Sequence, residues 1–220
     1  LTVVPPLRGK VVVTGNPVRP PVLVAARTPF PDFADGALRL LVTGGSQGAR
    51  VMADIVPDAI ALMPPALRAR IRLVQQTRQE DMARVEAVYD AAGVNAELAL
   101  FFADLPGRIA AAHYVIARAG ASTVSELAVI GRPAMLVPLP HALDQDQAVN
   151  AAFLTAAGGA ETVAQSDFSP AFLAARLTEL INAPQELAQR AQAARSVGVA
   201  AAALVAIVMV LQPHYSVEDV

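Results

Sequence analysis

Short apolar runs alternate along the chain with longer stretches in which apolar residues return every three or four positions. The runs Lys10–Thr14, Leu38–Thr43, Arg72–Gln76, Ala96–Phe101, Tyr114–Ala117 and Ala134–Pro138 predict strands. Several are continuous and rich in Val, Ile or Leu, as parallel strands covered on both faces are. Helical spacing marks Ser46–Leu62, Arg78–Ala92, Leu105–Ala112, Thr123–Ile130, Gln145–Ala157, Ser169–Ile181 and Pro184–Ala194. The last two carry proline near the first turn, where a missing N–H is harmless. Pro17–Asp35 is proline-rich and aperiodic, and reads as a loop. This alternation predicts an α/β fold, an open parallel sheet with helices on both faces. Right-handed crossovers then bring the C-terminal ends of the strands, and their loops, to one edge.

Composition narrows the picture. A chain of 220 residues holds one large domain or two small ones, and 55% hydrophobic against 16% charged residues permits a sizeable core. Much of the apolar count is alanine, which favours helices packed closely on a sheet. The net charge of −2 and the scattered basic residues give no electrostatic footprint for nucleic acid. The absence of cysteine excludes disulfides, thiolate metal sites and cysteine nucleophiles, and fits a cytoplasmic setting. The opening LTVVPPLRGK has no signal-peptide pattern and no initiator methionine, so the chain is expected to be a piece of something longer. The apolar tail Val197–Leu211 is shorter than the roughly 20 residues that span a bilayer, and reads as a core or docking helix or a membrane-surface segment.

The candidate chemistry sits in three loops. LVTGGSQGAR, Leu41 to Arg50, is a strand turning over glycines into a helix. A dinucleotide fold would place glycine where Thr43 stands, and an acid at the end of the next strand, which here ends Gln75-Gln76. Walker A fails as well, because no Gly-Lys-Ser/Thr follows. The turn is therefore a tight packing device or an anion loop of another kind. ARAGASTVSE, Ala117 to Glu126, has the same grammar, with a helix expected to open near Thr123 and to favour an anion at its N-terminus. Thr123-x-x-Glu126 fits a capping box, while a carboxylate at Glu126 also suits the two hydroxyls of a ribose. The third loop, PLPHALDQDQAVNA, gathers Asp144, Gln145, Asp146, Gln147 and Asn150, side chains that pair with sugar hydroxyls. Asp144 would also serve as an ordinary N-cap there. No His, Cys or paired acids converge at metal-ligand spacing, so no metal and no cofactor are expected.

Taken in order with VTGNPVR at Val13 to Arg19, these loops resemble the C-terminal half of a bacterial transferase family. The family, in glycosyltransferase family 28, adds N-acetylglucosamine to lipid I. The resemblance runs from about Lys10 to the 190s and rests on VTGNPVR, GGSQGA, RAGASTVSE and D-x-D-Q-x-x-N-A together. It implies a GT-B architecture of two Rossmann-like domains facing across a cleft, with residues 1–196 forming the donor-binding domain, 197–220 an apolar tail, and the N-terminal acceptor domain outside this chain. It implies UDP-N-acetylglucosamine as donor and lipid I as acceptor, giving lipid II in peptidoglycan synthesis by an inverting reaction. The intact enzyme would sit peripherally on the cytoplasmic face of the inner membrane. Arg19 and Ser46 would lie at the nucleotide and diphosphate, and Phe102 would offer backbone groups to the uracil. Ala121, Ser122 and Thr123 would meet phosphates and sugar, with Glu126 on the ribose. Asp146, Gln147 and Asn150 would meet the sugar hydroxyls.

The pattern departs from the family at Asp146, where Gln or His is common, and at Gln75 and Arg78, where His and Gly are. A carboxylate at Asp146 accepts from a hydroxyl but cannot donate. The family's catalytic base and glycine-rich GGTGGH loop belong to the N-terminal domain, so no catalytic residue is expected in this chain. His113 and His214 read as incidental, and His141 stands near the sugar loop. The rival readings are a non-catalytic UDP-sugar binding module, and another GT-B enzyme such as a lipid glycosyltransferase or an epimerase.

Overall fold

The computed structural model describes residues 17–45, 49–140 and 146–198. The expected strand Lys10–Thr14, Ser46, His141, Asp144, Gln145, His214 and nearly all of the apolar tail lie outside them. The strands are β1 (Leu38–Thr43), β2 (Ile71–Gln76), β3 (Ala96–Ala99), β4 (Tyr114–Ala117), β5 (Ala134–Leu136) and β6 (Ala160–Thr162). The helices are α1 (Pro20–Ala25), α2 (Arg50–Leu62), α3 (Pro65–Arg68), α4 (Met82–Ala92), α5 (Leu105–Ala111), α6 (Ala121–Ile130), α7 (Asp146–Ala156), α8 (Pro170–Asn182) and α9 (Pro184–Ser196). All the strands run parallel, in the order β3-β2-β1-β4-β5-β6. That is the doubly wound order, with its switch point between β1 and β4.

Strands β1, β4 and β5 alternate between two cores. Leu38, Leu40 and Val42 of β1, with Tyr114 and Ile116 of β4, pack under α2, α4 and α8. Leu41, Val115, Ala117 and Leu136 pack on the opposite face, under α1, α5, α6 and α7. Helix α9 serves both: Leu187 in its first turn joins one core and Ala194 in its last turn the other. The period-2 reading is thus realised with both faces covered.

Local details follow from residue chemistry. Pro57 lies inside α2 and cannot donate to the carbonyl of Ala53. Arg84 Nη1 takes that carbonyl at 3.1 Å. Gln75, deep in the sheet, accepts from Tyr89 Oη at 2.5 Å, so a polar side chain replaces bulk in the core at little cost.

Several expectations need correction. Pro17–Asp35 is not all loop: Pro20 and Pro21 occupy the first turn of α1, where their fixed φ suits a helix. The segment expected as one helix from Arg78 opens with a 3-10 turn, Gln79–Asp81, and α4 follows. Strand β3 stops at Ala99 rather than Phe101, having a partner on one side only. Strand β5 stops at Leu136, although Val137 N–H still donates to Ala117 O. Strand β6 and helix α3 were not expected. Three and four residues are too few to show a period.

Candidate functional site

The register pairs Thr43 with Ala117, so β1 and β4 end level and the loops that follow them lie side by side at the switch point. After Thr43 the chain turns through Gly44 and Gly45. Gly45 has φ +82°, a left-handed backbone that side chains with a Cβ rarely adopt. Beyond the loop, α2 opens with Ala49 as N-cap.

After Ala117, Arg118-Ala119-Gly120 lead into α6. Gly120 is its N-cap and supplies no side chain, so the N–H groups of Ala121, Ser122 and Thr123 have no helical acceptor. The positive end of the helix dipole lies at the same place. The capping box read from Thr123-x-x-Glu126 does not form. The small residues Gly120 to Ser122 let the helix start two positions early, which puts Thr123 inside it. Glu126 instead pairs with Arg19, accepting at Oε1 from Nη2 at 2.9 Å and from Nε at 3.2 Å. The Glu126 side chain is 6% exposed and that of Arg19 is 62% exposed.

Two cavities open on this edge and share Gly45, Ser122 and Thr123. The larger, about 890 Å3, lies among Gly44, Arg50, Arg118, Ala121, Gln147 and Gln165. The smaller, about 250 Å3, lies among Arg19, Gln76, Phe101, Phe102, Leu105 and Glu126. The two meet at the start of α6: the smaller is lined by a carboxylate and aromatic rings, the larger by arginines and amides. Phe102 is buried beneath Arg108, whose guanidinium carbon stands 4.3 Å from its ring centre. Phe101 is 69% exposed at the mouth.

The sequence-predicted residues are therefore brought together in large part. Arg19, Phe102, Ser122, Thr123 and Glu126 line the smaller cavity, and Ala121 and Gln147 the larger. Gln147 Oε1 accepts from Leu139 N–H at 3.0 Å, which fastens α7 to the segment after β5. Asn150 Nδ2 donates to Ala119 O at 3.2 Å, tying α7 to the loop before α6. Asp146 opens α7. Among the described residues, no group of His, Asp and Glu side chains could hold a metal ion, and no helix is long and apolar enough to cross a membrane.

Sequence reasoning missed three residues here. Arg118 donates from Nη1 to Val137 O (3.0 Å) and Pro138 O (3.1 Å), and from Nη2 to Gln165 Oε1 (2.6 Å). Burial pulls its pKa below the usual arginine value. A cation braced by neutral oxygens keeps its charge available to an anion in the cavity. Gln165 comes from the loop after β6, which the sequence did not show. Gln76 ends β2 and hydrogen-bonds the glycine turn. The sequence signal for Arg118 was its place one residue after a strand and two before a helix-opening glycine.

Comparison with known proteins identifies the family. Residues 39–205 match the family described as glycosyltransferase family 28 C-terminal domain. A UDP-N-acetylglucosamine--N-acetylmuramyl-(pentapeptide) pyrophosphoryl-undecaprenol N-acetylglucosamine transferase of Methylobacterium nodulans is 61% identical over 198 residues, 89% of this chain and 53% of the relative. The enzyme of the same name from Brucella canis is 60% identical over 190 residues, 86% of this chain and 50% of the relative. The crystal structure of Acinetobacter baumannii MurG superposes with a TM-score of 0.73 at 31% identity, covering 82% of this chain and 54% of that one. The chain thus spans about half the length of the curated relatives it matches.

Proposed function

The chain belongs to the glycosyltransferase family 28 C-terminal domain family, and from that premise we propose that it is the donor-binding half of an enzyme that moves N-acetylglucosamine from UDP-N-acetylglucosamine to lipid I. The observation that carries the reading is the level ending of β1 and β4 at the switch point. It sets the glycine turn and the open N-terminus of α6 on one cavity, with Glu126 in the adjoining one.

In this reading the diphosphate lies on the N–H groups of Ala121 to Thr123 and beside Arg118, in the positive field of a helix start. The ribose hydroxyls reach Glu126, the uracil lies against the Phe102 segment, and the sugar extends toward Gln147. Arg19 closes on the nucleotide and Asn150 steadies the loop before α6 through Ala119 O, while Ser46 and Asp146 are assigned to the diphosphate and the sugar on the family resemblance alone. The lipid-linked hydroxyl oxygen bonds to C1 of the sugar from the face opposite the diphosphate. The bond from C1 to the β-phosphate oxygen breaks, and UDP leaves with its electron pair. This half supplies the stabilisation of the departing charge, a preorganised set of dipoles and one half-buried cation, Arg118. The base, the lipid I site and the peripheral contact with the inner membrane fall to the part of the relatives that this chain does not cover.

Calorimetric titration tests the reading. UDP and UDP-N-acetylglucosamine are expected to bind, the latter in preference to UDP-galactose. Glu126→Ala is expected to weaken UDP by about tenfold or more, the loss of hydrogen bonds to a charged group. No heat with UDP, at concentrations well above millimolar, refutes the donor assignment. Preference for UDP-galactose refutes the sugar alone.

A further inference from the structure

The end of β2 is where dinucleotide-binding sheets carry the acid that holds a ribose. Here that position is Gln76, and its amide is used in full. Oε1 accepts from Thr43 Oγ1 at 2.9 Å and from Gly44 N–H at 3.2 Å. Nε2 donates to Gly45 O at 2.9 Å and to Leu100 O at 3.2 Å. The first three partners are the last residue of β1 and the two glycines of the turn that follows it. The fourth belongs to the segment after β3 that continues into Phe101 and Phe102. Gln76 is 7% exposed and lines the smaller cavity that those two segments flank.

We propose that Gln76 is a positioning residue that holds the diphosphate turn and the base-binding segment in mutual register, so that the two ends of a nucleoside diphosphate meet walls set by one side chain. The inference rests on the donor-binding reading above. The physical argument is one of matching. A carboxylate could accept from Thr43 and Gly44 but would face the carbonyls of Gly45 and Leu100 with lone pairs. An apolar side chain would leave all four groups without their partner in a nearly dry place. Only a primary amide of this length supplies two acceptor and two donor directions at once. The ribose carboxylate consequently comes from elsewhere, from Glu126 on α6.

Two variants and one ligand-independent measurement test this. Gln76→Leu removes all four bonds, and Gln76→Glu keeps those from Thr43 and Gly44 while losing those to Gly45 and Leu100. Both are expected to melt cooperatively and to bind UDP about tenfold more weakly than the parent chain, the equivalent of one or two net hydrogen bonds. A lower melting temperature with unchanged UDP affinity would reduce Gln76 to a stability residue and overturn the proposal. Parent-like affinity in Gln76→Glu alone would overturn the bridge between segments. Should neither variant fold, NMR exchange of the Gln76 Nε2 protons in the parent chain decides: slow exchange supports the tether and free exchange overturns it. Failure of the parent chain to bind UDP sinks the donor reading and the tether with it. Parent binding with undiminished binding by Gln76→Leu sinks the tether alone.

Discussion

Arg118 shows how one side chain divides a ligand into parts. Its guanidinium is held by two backbone carbonyls and an amide oxygen, and no carboxylate neutralises it among the described residues. An anion in the adjoining cavity gains that charge, whereas a neutral nucleoside does not. Arg118→Met is therefore expected to weaken UDP by about tenfold to a hundredfold, the range for charged hydrogen bonds, and to leave uridine within about twofold. Calorimetry with both ligands checks it, and equal losses would remove Arg118 from the diphosphate. The sequence exposed the glycine turns because backbone geometry restricts which residue types fit there, and Glu126 through the family resemblance of the segment that carries it. It did not expose Arg118 or Gln76, because their meaning lies in which strand is next door. Gln76 read as a missing acid, and only the β1–β2 pairing turns it into a fastening for the neighbouring loop.

At the scale of elements, the long periodic segments were legible and the short ones were not. Strands β1 and β4 stand where the apolar runs put them, while β6 and α1 are shorter than the windows in which a period can be counted. What joins the elements was equally hidden. Arg132 follows the α6 C-cap Gly131 and is buried. Its Nε and Nη2 donate to Ala110 O in the last turn of α5, at 3.0 and 2.6 Å. Its Nη1 donates to Ile130 O and Gly131 O at the end of α6, each at 3.0 Å, and Nη2 also reaches Thr28 O and Pro29 O. One guanidinium thus closes two helix C-termini and pins the segment after α1. Burial lowers its pKa to about 10, so it stays charged at neutral pH. Arg132→Met leaves those carbonyls without donors and is expected to cost about 3 kcal/mol or more. The urea midpoint should fall with little change in slope, and a loss under 1 kcal/mol would show that the clamp is replaceable.

At the scale of the whole molecule, His113 is expected to make stability depend on pH above the range in which carboxylates titrate. His113 lies at the end of the sheet away from the cavities, its ring stacked on Phe33 at 3.8 Å between centres. Nδ1 accepts from Arg39 N–H at 3.0 Å, so Nε2 carries the proton toward Asp32 O at 2.9 Å. Burial, with Arg39 nearby, lowers the pKa from 6.5. The folded state therefore binds this proton less readily than the unfolded state. The contribution is fully present above about pH 6.5 and is lost as pH falls from there toward the folded value. The melting temperature is expected to drop between pH 7.5 and 5.5, and the slope to flatten in His113→Asn even as overall stability falls. An unchanged slope in the variant would assign the effect to other groups.

The contact between Arg19 and Glu126 has a consequence for entry. At rest the carboxylate of the smaller cavity is plugged by the protein's own cation, a largely exposed arginine. A nucleotide bound as proposed would not fill a vacancy but evict a tenant. The guanidinium it would set loose is 62% exposed, within reach of a negative tail.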